Sequence, residues 1–580
     1  MNALLHRLAR NGDIDWLSYY FSEFVGGGDS ADTLLGYSAA LVSESNLAGH
    51  VCVELERFEQ RSLFHSSRID SAELPVGPAT AEWCETLRNC SCVGEPNEHS
   101  PLIIEDTRLY LNRYWFYEDF VARRILAMLQ RDTGIDPGAV ETEAEHLFDS
   151  RSDIDMDQKQ AIMSAVRSPF SVISGGPGSG KTSTVIRILA VMLAHNPHSR
   201  IALAAPTGKA AARMLDSIRQ GIERLGLQDR LQMARPLEAK TIHRLLGYRQ
   251  QGFSYHQNHR LAIDCVIVDE ASMIDIRLMY QLLAALPEEA QLILLGDRDQ
   301  LASVAAGNVL GDITGHGRQS ESNPTAVASA TSLLRSAYRF AGDSAIAKLA
   351  GLVNSGEQAA ALDLIGRGEA GLRWFETEGE KLERETLDWL CEAYQPIFDS
   401  DSPAQALAVY DKTRLLCATN HGPLGIETLN RELSGALRAR NGLAQAEHYP
   451  GLPIMITRNF PELELFNGDT GLLWSLGGEL RACFRGIDGG IRDFAINRLP
   501  EFKPAWAITV HKSQGSEFDS VLLVLPQDAS AEVLSRELLY TAITRARDRF
   551  LLHAPARALT QAIGRTTRRH SGLALKLGWR

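Results

Sequence analysis

Short apolar runs recur along this chain, and each run is bounded by polar residues or glycine. Four of them lie at Phe170–Ser174, Ile201–Ala205, Cys265–Val268 and Gln291–Leu295, with helical spacing of apolar residues in between. Strands that are buried on both faces of a parallel sheet read as continuous apolar runs. The pattern therefore predicts an α/β domain whose parallel sheet is covered by helices on both faces.

The same pattern returns after residue 330, with buried-strand candidates at Leu415–Ala418 and Val521–Leu525. Between residues 444 and 500, glycine and proline punctuate short β-rich runs instead. Short strands with turn residues between them are typical of small antiparallel barrels. We expect a second α/β domain, residues 331–443 and 501–580, that carries a small inserted β-barrel at 444–500.

The first 140 residues contain no catalytic pattern. They do contain helical stretches with large apolar faces, at Ile14–Val25 and Leu109–Val121. Such a stripe packs in a core more often than against a partner. We predict a helical N-terminal domain, residues 1–140, that is a candidate for partner binding and ends near the acidic stretch Asp136–Asp155. The first α/β domain then spans residues 141–330.

Composition narrows the class of protein. With 44% hydrophobic and 23% charged residues, no membrane-length apolar stretch and no visible secretory signal, we expect a cytoplasmic globular protein. The net charge of −13 disfavours a protein that coats nucleic acid by bulk charge, but it leaves room for a local basic channel. Cys84, Cys90 and Cys92 lack a nearby fourth ligand, so buried thiols are preferred over a metal site.

The strongest chemical signal directly follows the first apolar run and has the pattern G-x-x-x-x-G-K-T. Its glycines let backbone N–H groups turn around phosphates, its lysine supplies a charge, and its threonine hydroxyl suits Mg²⁺. The predicted phosphate loop consists of Gly175, Gly176, Pro177, Gly178, Ser179, Gly180, Lys181 and Thr182. We therefore predict that the chain binds ATP with Mg²⁺.

Polar side chains near other strand ends complete the predicted site. Asp269 ends one run and suits Mg²⁺, while Glu270 suits orientation and deprotonation of the attacking water. Gln300 follows the next run and can reach the γ-phosphate or that water. Gln158 precedes the first run and can pair with both donor and acceptor edges of adenine, although a surface glutamine is commonplace.

Only one of the two α/β domains carries a phosphate loop, so ATP is expected in the cleft between them. Arginines of the second domain, Arg339 and Arg545, would stabilise γ-phosphoryl transfer when this cleft is closed. For either arginine alone, a surface or ion-pairing role is an equal alternative.

From Met156 to Arg547 the ordered motifs resemble those of the superfamily-one DNA helicases. The motifs are Gln158, GGPGSGKT, APTGKAA, TIHRL, DEAS, GDRDQL, AYRF, TVHKSQGSEF and LLYTAITRAR. Within this superfamily, the chain resembles the α-subunit family of exodeoxyribonuclease V, the bacterial RecBCD complex. The resemblance rests on the motif sequences TGKAAARM and TIHRLLG, on the N-terminal segments AGHVC and RYW, and on the overall length. The resemblance implies two RecA-like P-loop domains, an SH3-like inserted barrel and a short hairpin near residues 246–262.

The resemblance also implies an activity, an ATP-dependent 5′→3′ DNA helicase within a heterotrimer. The catalytic residues would be Lys181, Asp269, Glu270, Gln300, Arg339 and Arg545. The residues along the single strand would be Thr207, Lys209, Thr241, His243, Thr509 and His511, whose groups suit backbone contact. For the two histidines taken alone, helix packing is the better interpretation. The partners would be RecB-like and RecC-like subunits and single-stranded and duplex-end DNA, with the nuclease site in another subunit.

Two other functions stay open. A stand-alone helicase is motivated by the complete motif set, although such relatives would carry a longer N-terminus with helix-hairpin-helix repeats, of which we see none. A regulatory subunit whose nucleotide state switches a partner nuclease is motivated by the catalytically silent N-terminal domain. The sequence favours ATP-driven translocation over strand separation by this chain alone, because residues 246–262 have room for little more than a hairpin.

Overall fold

The computed structural model describes residues 3–26, 34–148, 155–227, 237–249, 252–317, 325–335, 344–379, 381–443, 446–486, 490–527 and 533–579. Its larger elements form an N-terminal domain, two parallel sheets with their helices, and one antiparallel sheet. The predicted α/β class with two parallel-sheet domains is confirmed. None of the helices in these ranges combines the length and hydropathy that a bilayer-spanning segment needs.

The N-terminal domain combines the predicted helices with a small sheet. Its helices are α1 (Ala3–Asn11), α2 (Trp16–Val25), α3 (Leu34–Leu47), α4 (Thr80–Arg88) and α5 (Asn112–Leu129), whereas α6 (Pro137–His146) packs in the buried cluster of the first parallel-sheet domain. Its strands are β1 (Cys52–Glu54), β2 (Val93–Gly94), β3 (Leu102–Glu105) and β4 (Arg108–Leu111), in the order β1-β4-β3-β2. The sheet was not predicted, because strands of two to four residues are too short to show a periodicity.

One face of α2 is exposed. Trp16, Tyr20 and Phe24 are spaced by four residues, lie on one side of the helix and are 43%, 63% and 75% exposed. The prediction of core packing is wrong for these three side chains, whereas Ile14, Phe21 and Val25 of the same stretch pack in the core together with Tyr19. The stripe in α5 does pack, with Trp115 buried.

The first parallel sheet has the order β12-β5-β11-β10-β6-β7, with every pairing parallel. Its strands are β5 (Phe170–Gly175), β6 (Ile201–Ala205), β7 (Ala239–Thr241), β10 (Cys265–Val268), β11 (Gln291–Gly296) and β12 (Thr331–Leu334), and β8 (Tyr248–Arg249) pairs with β9 (Gly252–Phe253) as a hairpin. Because β12 pairs with β5, this sheet extends past the predicted boundary at residue 330.

Both faces of this sheet are covered, as its continuous apolar strands require. The helices that accompany it are α7 (Met156–Arg167), α8 (Lys181–His195), α9 (Gly208–Arg224), α10 (Ile242–Leu245), α11 (Ile276–Ala285), α12 (Val309–Ile313) and α13 (Ala326–Ser329). Val266 and Val268 of β10 belong to one buried cluster together with α5 and α11. Cys265 and Ile267 belong to another cluster with α7 and α8. A helix of the N-terminal domain therefore covers one face of the nucleotide domain.

The second parallel sheet has the order β13-β22-β21-β14-β20. Its strands are β13 (Leu372–Glu376), β14 (Thr413–Cys417), β20 (Ala507–Thr509), β21 (Phe518–Val524) and β22 (Ala546–Ala554). Its helices are α14 (Ala345–Ser355), α15 (Gln358–Gly366), α16 (Arg384–Phe398), α17 (Pro403–Tyr410), α18 (Ile426–Arg440), α19 (Arg536–Ile543) and α20 (Ala556–Gly564).

Between β14 and β20 the chain forms a five-stranded antiparallel sheet. Its strands are β15 (Pro453–Ile456), β16 (Thr470–Leu476), β17 (Glu479–Arg485), β18 (Ile491–Ala495) and β19 (Phe502–Pro504), in the order β18-β17-β16-β15-β19. The glycine-punctuated runs therefore correctly predicted short β-strands inserted in the second α/β domain.

The last described residues return to the N-terminal domain and include the short helix α21 (Leu573–Lys576). Glu118 of α5 accepts hydrogen bonds from Ser571 Oγ at 2.8 Å and from the backbone N–H of Gly572 at 2.9 Å. Trp579 Nε1 donates to the carbonyl oxygen of Ile313 at 3.1 Å. The predicted assignment of residues 501–580 to the second α/β domain therefore does not hold for this segment, which packs on α5 and α12.

Candidate nucleotide site

The phosphate loop joins the carboxyl end of β5 to the start of α8. Gly178 and Gly180 have φ of +79° and +86°, in the left-handed region that glycine adopts without strain. Gly180 immediately precedes the first turn of α8, so the loop lies at the N-terminus of that helix. Lys181 Nζ donates to the carbonyl oxygen of Gly175 and, at 3.0 Å, to that of Gly176. The ammonium therefore lies inside the turn of the loop.

Gln158 of α7 packs against the same loop. Its side chain is buried, and a Cβ built on Gly180 would lie 2.3 Å from Gln158 Nε2. Thr182, in the first turn of α8, is exposed. The structure thus brings the proposed adenine-reading residue to the phosphate loop, and its contact with a base stays a prediction.

Asp269 and Glu270 follow β10, whose carboxyl end lies at the same sheet edge as that of β5. Asp269 Oδ1 accepts from the backbone N–H of Glu270 at 2.8 Å. Glu270 has φ of +53°, a left-handed conformation that costs a residue with a side chain about 1–2 kcal/mol. Burial and the Glu270 charge raise the pKa of Asp269 to about 6, while Lys181 opposes this shift. The acidic pair and the loop lysine therefore share one electrostatic environment.

The loop after β11 carries Asp297 and Gln300, and both side chains are buried. Gln300 Nε2 donates to Asp297 Oδ2 at 3.1 Å. The loop is joined to the neighbouring strand β5 by the backbone N–H of Arg298, which donates to Ser174 Oγ at 3.1 Å. These bonds fix the position of Gln300 relative to the phosphate loop.

Three buried polar atoms around these loops have no hydrogen-bond partner among the residues that the structure describes. They are Ser179 Oγ, Ser272 Oγ and Gln300 Oε1. Buried polar atoms in native proteins are nearly always satisfied by protein, water or a ligand. Together with the left-handed glycines, they fit a polyphosphate, and the Thr182 hydroxyl and Asp269 carboxylate are the oxygen ligands that Mg²⁺ prefers. The residues present therefore fit a nucleotide with its metal ion.

The second domain reaches this site through hydrogen bonds to the loop after β11. Tyr540 OH, on α19, donates to Asp297 Oδ2 at 3.0 Å. The backbone N–H of Leu301 donates to Thr541 Oγ1 at 2.9 Å, and Gln514 Nε2 donates to the Leu301 carbonyl at 2.8 Å. All of these side chains are buried. The two parallel-sheet domains are thus in contact at the loop that carries Gln300.

The two predicted arginines of the second domain have different outcomes. Arg545 is buried, with Nε donating to the Thr541 carbonyl and Nη1 to the Ser516 carbonyl, both at 3.2 Å. Its guanidinium is held by backbone oxygens of its own domain, so its γ-phosphate contact stays a prediction. Arg339 lies outside the described residues.

Thr207 and Thr241, two of the predicted DNA contacts, begin helices at one sheet edge. Thr207 Oγ1 accepts from the backbone N–H of Ala210 at 3.2 Å, and Thr241 Oγ1 accepts from that of Arg244 at 3.1 Å. In the pairing of β6 with β7, Ala205 lies opposite Thr241. The two hydroxyls are therefore close to the same edge of the first domain.

Lys209 lies where α9 meets the second domain, with Nζ 5.7 Å from the ring centroid of Phe518. Much of its side chain is exposed, yet the surrounding walls of the cleft desolvate the ammonium, and together with the Arg414 charge they lower the pKa of Lys209 to about 8. Thr509 ends β20, and His511 follows it. Burial lowers the pKa of His511, which favours the neutral ring.

His243 packs against the hairpin formed by β8 and β9. Its ring centroid is 5.7 Å from that of Tyr248 and 5.8 Å from that of Phe253. Although much of His243 is exposed, the groups around its ring desolvate the imidazole and lower its pKa. The contacts within the chain are therefore those of a packing residue, and the DNA contact of His243 stays a prediction.

Sequence reasoning did not single out Tyr540, Thr541, Gln514 or Asp297. All four lie inside motifs that were recognised, LLYTAITRAR, TVHKSQGSEF and GDRDQL. The motif strings were thus the available signal, but a string does not show which of its side chains crosses from one domain to the other.

A phosphate loop, an acidic pair two strands away, and a second parallel-sheet domain that contacts the loop between them define a helicase-type P-loop nucleotide hydrolase of superfamily one. Three known domain families match the chain: "RecBCD enzyme subunit RecD, N-terminal domain" at residues 10–110, "AAA domain" at 158–306 and "UvrD-like helicase C-terminal domain" at 504–552. The chain belongs to the RecD family of RecBCD enzyme subunits.

Curated relatives support this membership over nearly the whole length. The chain is 35% identical over 560 residues to the RecBCD enzyme subunit RecD of Mycolicibacterium smegmatis, covering 95% of this chain and 94% of that protein. It is 31% identical to the subunit RecD of Haemophilus influenzae, covering 99% of each. It is also 30% identical to the ATP-dependent RecD2 DNA helicase of Deinococcus radiodurans, covering 91% of this chain but 66% of that protein.

Among solved structures, the crystal structure of a Pif1 helicase from Bacteroides in complex with ADP-AlF3 and ssDNA aligns with a TM-score of 0.37 and 17% identity. The alignment covers 69% of this chain and 92% of that chain.

Proposed function

We propose that this chain is the ATP-dependent 5′→3′ DNA helicase subunit of a cytoplasmic exodeoxyribonuclease V (RecBCD) complex. In this role it unwinds duplex DNA ends for double-strand-break repair by homologous recombination and for degradation of linear DNA, with RecB-like and RecC-like subunits as partners. Family membership supports the identity. The motor activity is supported most directly by one observation, the hydrogen bonds that hold the loop of Gln300 from the second domain. A site shared by two domains links hydrolysis to domain movement.

The residues of the site have separate roles in this proposal. ATP bound with Mg²⁺ supplies the free energy of phosphoryl transfer to water. The loop amides and Lys181 would hold the phosphates, and Thr182 with Asp269 would hold the metal ion. Glu270 would orient the attacking water and take its proton, and Gln300 would contact that water or the γ-phosphate. Gln158 would contact adenine, and Arg545 with Arg339 would stabilise the transferred phosphoryl group.

We further propose that single-stranded DNA runs between the first domain and the inserted sheet, which would be the SH3-like barrel of the family. Contacts across this path support the proposal. The Arg244 guanidinium of the first domain lies 5.3 Å above the ring of Phe466 in the insertion, and a Cβ built on Gly208 of α9 would lie 3.8 Å from that ring. The residues along the path would be Thr207, Lys209, Thr241, His243, Thr509 and His511, whose groups bind phosphates without reading bases.

The exposed face of α2 supports a protein partner for the N-terminal domain, because contiguous exposed apolar side chains mark interaction surfaces. A stand-alone helicase is the second candidate. It is less well supported, since the chain covers 94% and 99% of two RecD subunits but 66% of the RecD2 helicase.

The proposal is tested by strand displacement on duplexes that carry a single-stranded tail at either the 5′ or the 3′ end. The chain is assayed alone and assembled with its partner subunits. We expect ATP-dependent displacement by this chain from the 5′ tail, lost in Lys181→Gln and retained in Lys381→Gln, a matched change at an exposed lysine. Displacement from the 3′ tail, or full activity of Lys181→Gln, would contradict the proposal. Full activity of the chain alone would favour the stand-alone helicase.

A further inference from the structure

We propose that Tyr540 is a positioning residue for hydrolysis. Its hydroxyl comes from the second domain, fixes the Asp297 carboxylate, and through that carboxylate sets the Gln300 amide so that Oε1 faces the attacking water. The inference rests on the proposed function, since it concerns the same site. It assigns a role to Tyr540, a residue to which the sequence motifs gave none.

The position of the Tyr540 hydroxyl places it at the phosphate loop. It lies 3.0 Å from Asp297 Oδ2. A Cβ built on Gly176 would lie 2.9 Å from this hydroxyl and 3.9 Å from Asp297 Oδ2. The Tyr540 ring is part of the buried cluster of the second domain, so its position follows that domain rather than the first. The hydroxyl is therefore a rigid projection of one domain into the nucleotide site of the other.

The hydrogen-bond inventory then determines how the Gln300 amide points. Asp297 Oδ2 accepts from the Tyr540 hydroxyl at 3.0 Å and from the NH₂ end of the Gln300 amide at 3.1 Å. The other end, Oε1, is buried and has no partner within the described part of the chain. An amide oxygen accepts from the O–H of a water but cannot donate to a phosphate oxygen. The arrangement thus assigns Gln300 to the water.

Asp297 depends on Tyr540 for this role. Its Oδ1 accepts from the backbone N–H of Asp299 at 3.1 Å, while its Oδ2 is shared by Gln300 and Tyr540. Of these three bonds to the Asp297 carboxylate, the Tyr540 bond is the one that crosses between the domains, so it exists when the cleft is closed and is lost when the cleft opens. Opening would free the carboxylate and, with it, the Gln300 amide. Domain closure would in this way control the orientation of the attacking water.

The test is Tyr540→Phe in the full chain assembled with its partner subunits, which keeps the ring and removes only the hydroxyl. We expect kcat of DNA-stimulated ATP hydrolysis to fall about tenfold, with KM for ATP within about twofold of wild type. The matched control is Tyr394→Phe. Tyr394 is buried in the same domain and donates to the Thr413 and Trp506 carbonyls at 3.3 and 3.4 Å, so its loss should leave kcat unchanged.

Combination with Gln300→Ala separates positioning from a general structural effect. If Tyr540 acts through Gln300, the double variant will hydrolyse ATP no more slowly than Gln300→Ala alone. Effects that multiply, or a raised KM with unchanged kcat, would overturn the inference. The inference would also be overturned if kcat fell by the same factor in Tyr394→Phe as in Tyr540→Phe, because the loss would then be a general effect of removing a buried hydroxyl. A wild-type complex without DNA-stimulated hydrolysis would instead refute the proposed function, whereas a normal wild type with a normal Tyr540→Phe refutes only the role of Tyr540.

Discussion

Glu118 connects the C-terminal segment to the N-terminal domain, and Glu118→Gln should loosen that connection locally. The carboxylate is fully buried, with Oε2 accepting from Ser571 Oγ and Gly572 N–H and Oε1 accepting from Tyr110 OH at 3.1 Å. Hydrogen bonds to a charged acceptor contribute about 1.5–3 kcal/mol, and neutral ones about 0.5–1.5 kcal/mol. Burial raises the pKa of Glu118, while the Ser571 hydrogen bond, the Lys576 charge and the Gly572 hydrogen bond oppose this shift, so the comparison is made at pH 8, which favours the charged carboxylate. Neutralising the acceptor of the two bonds to the segment should then cost about 2 kcal/mol, or a roughly thirtyfold larger opening constant.

Amide hydrogen exchange measures this opening directly, because the Gly572 N–H is itself one of the donors. We expect exchange at residues 571–577 to be about thirtyfold faster in Glu118→Gln at pH 8, with little change in the two parallel sheets. Glu95→Gln is the control, since Glu95 forms an exposed ion pair with Arg88 at 3.0 Å. Unchanged exchange at Gly572, or a uniform increase along the whole chain, would refute the reasoning.

Three further predictions concern single residues. Gly180→Ala should weaken binding of an ATP analogue by about tenfold, because the left-handed backbone and the nearby Gln158 amide both oppose a methyl group; unchanged affinity would contradict this. Affinity for single-stranded DNA should fall between pH 7 and pH 9 as Lys209 loses its proton, and Lys209→Arg should remove that fall. His50 Nδ1 accepts from the backbone N–H of His570 at 3.0 Å, and burial, with the neighbouring His570, lowers the pKa of His50 to about 4. The folded state therefore favours the neutral His50 ring. This contribution to stability is present above pH 6.5 and is lost as the pH falls toward 4. The acid-induced drop in unfolding temperature should therefore be smaller in His50→Gln.

The strands of the nucleotide domain could be read from the sequence because they are buried on both faces. Ile201–Ala205 and Cys265–Val268 begin and end in the structure where the apolar runs do. The loops that follow these runs carry the chemical motifs, so knowledge of the strand ends located the candidate site as well.

Other features depend on contacts between distant parts of the chain, and a local pattern cannot reveal them. The stripe on α2 has the spacing of a core face, but the fold leaves Trp16, Tyr20 and Phe24 exposed. The C-terminal segment returns to Glu118, more than 450 positions earlier in the chain, through bonds to ordinary serine and glycine residues. Tyr540 meets Asp297 for the same reason, since only the packing of the two domains brings them together.

We infer that this chain is an ATP-driven DNA motor whose phosphate loop hydrolyses ATP. This inference is tested most directly by ATP hydrolysis of the purified chain and of its assembled complex, with and without single-stranded DNA, for wild type, Lys181→Gln and Lys381→Gln. We expect DNA to stimulate hydrolysis in wild type and Lys381→Gln, and the contribution of this chain to disappear in Lys181→Gln. Hydrolysis by this chain that is indifferent to single-stranded DNA, or stimulation that survives in Lys181→Gln, would contradict it.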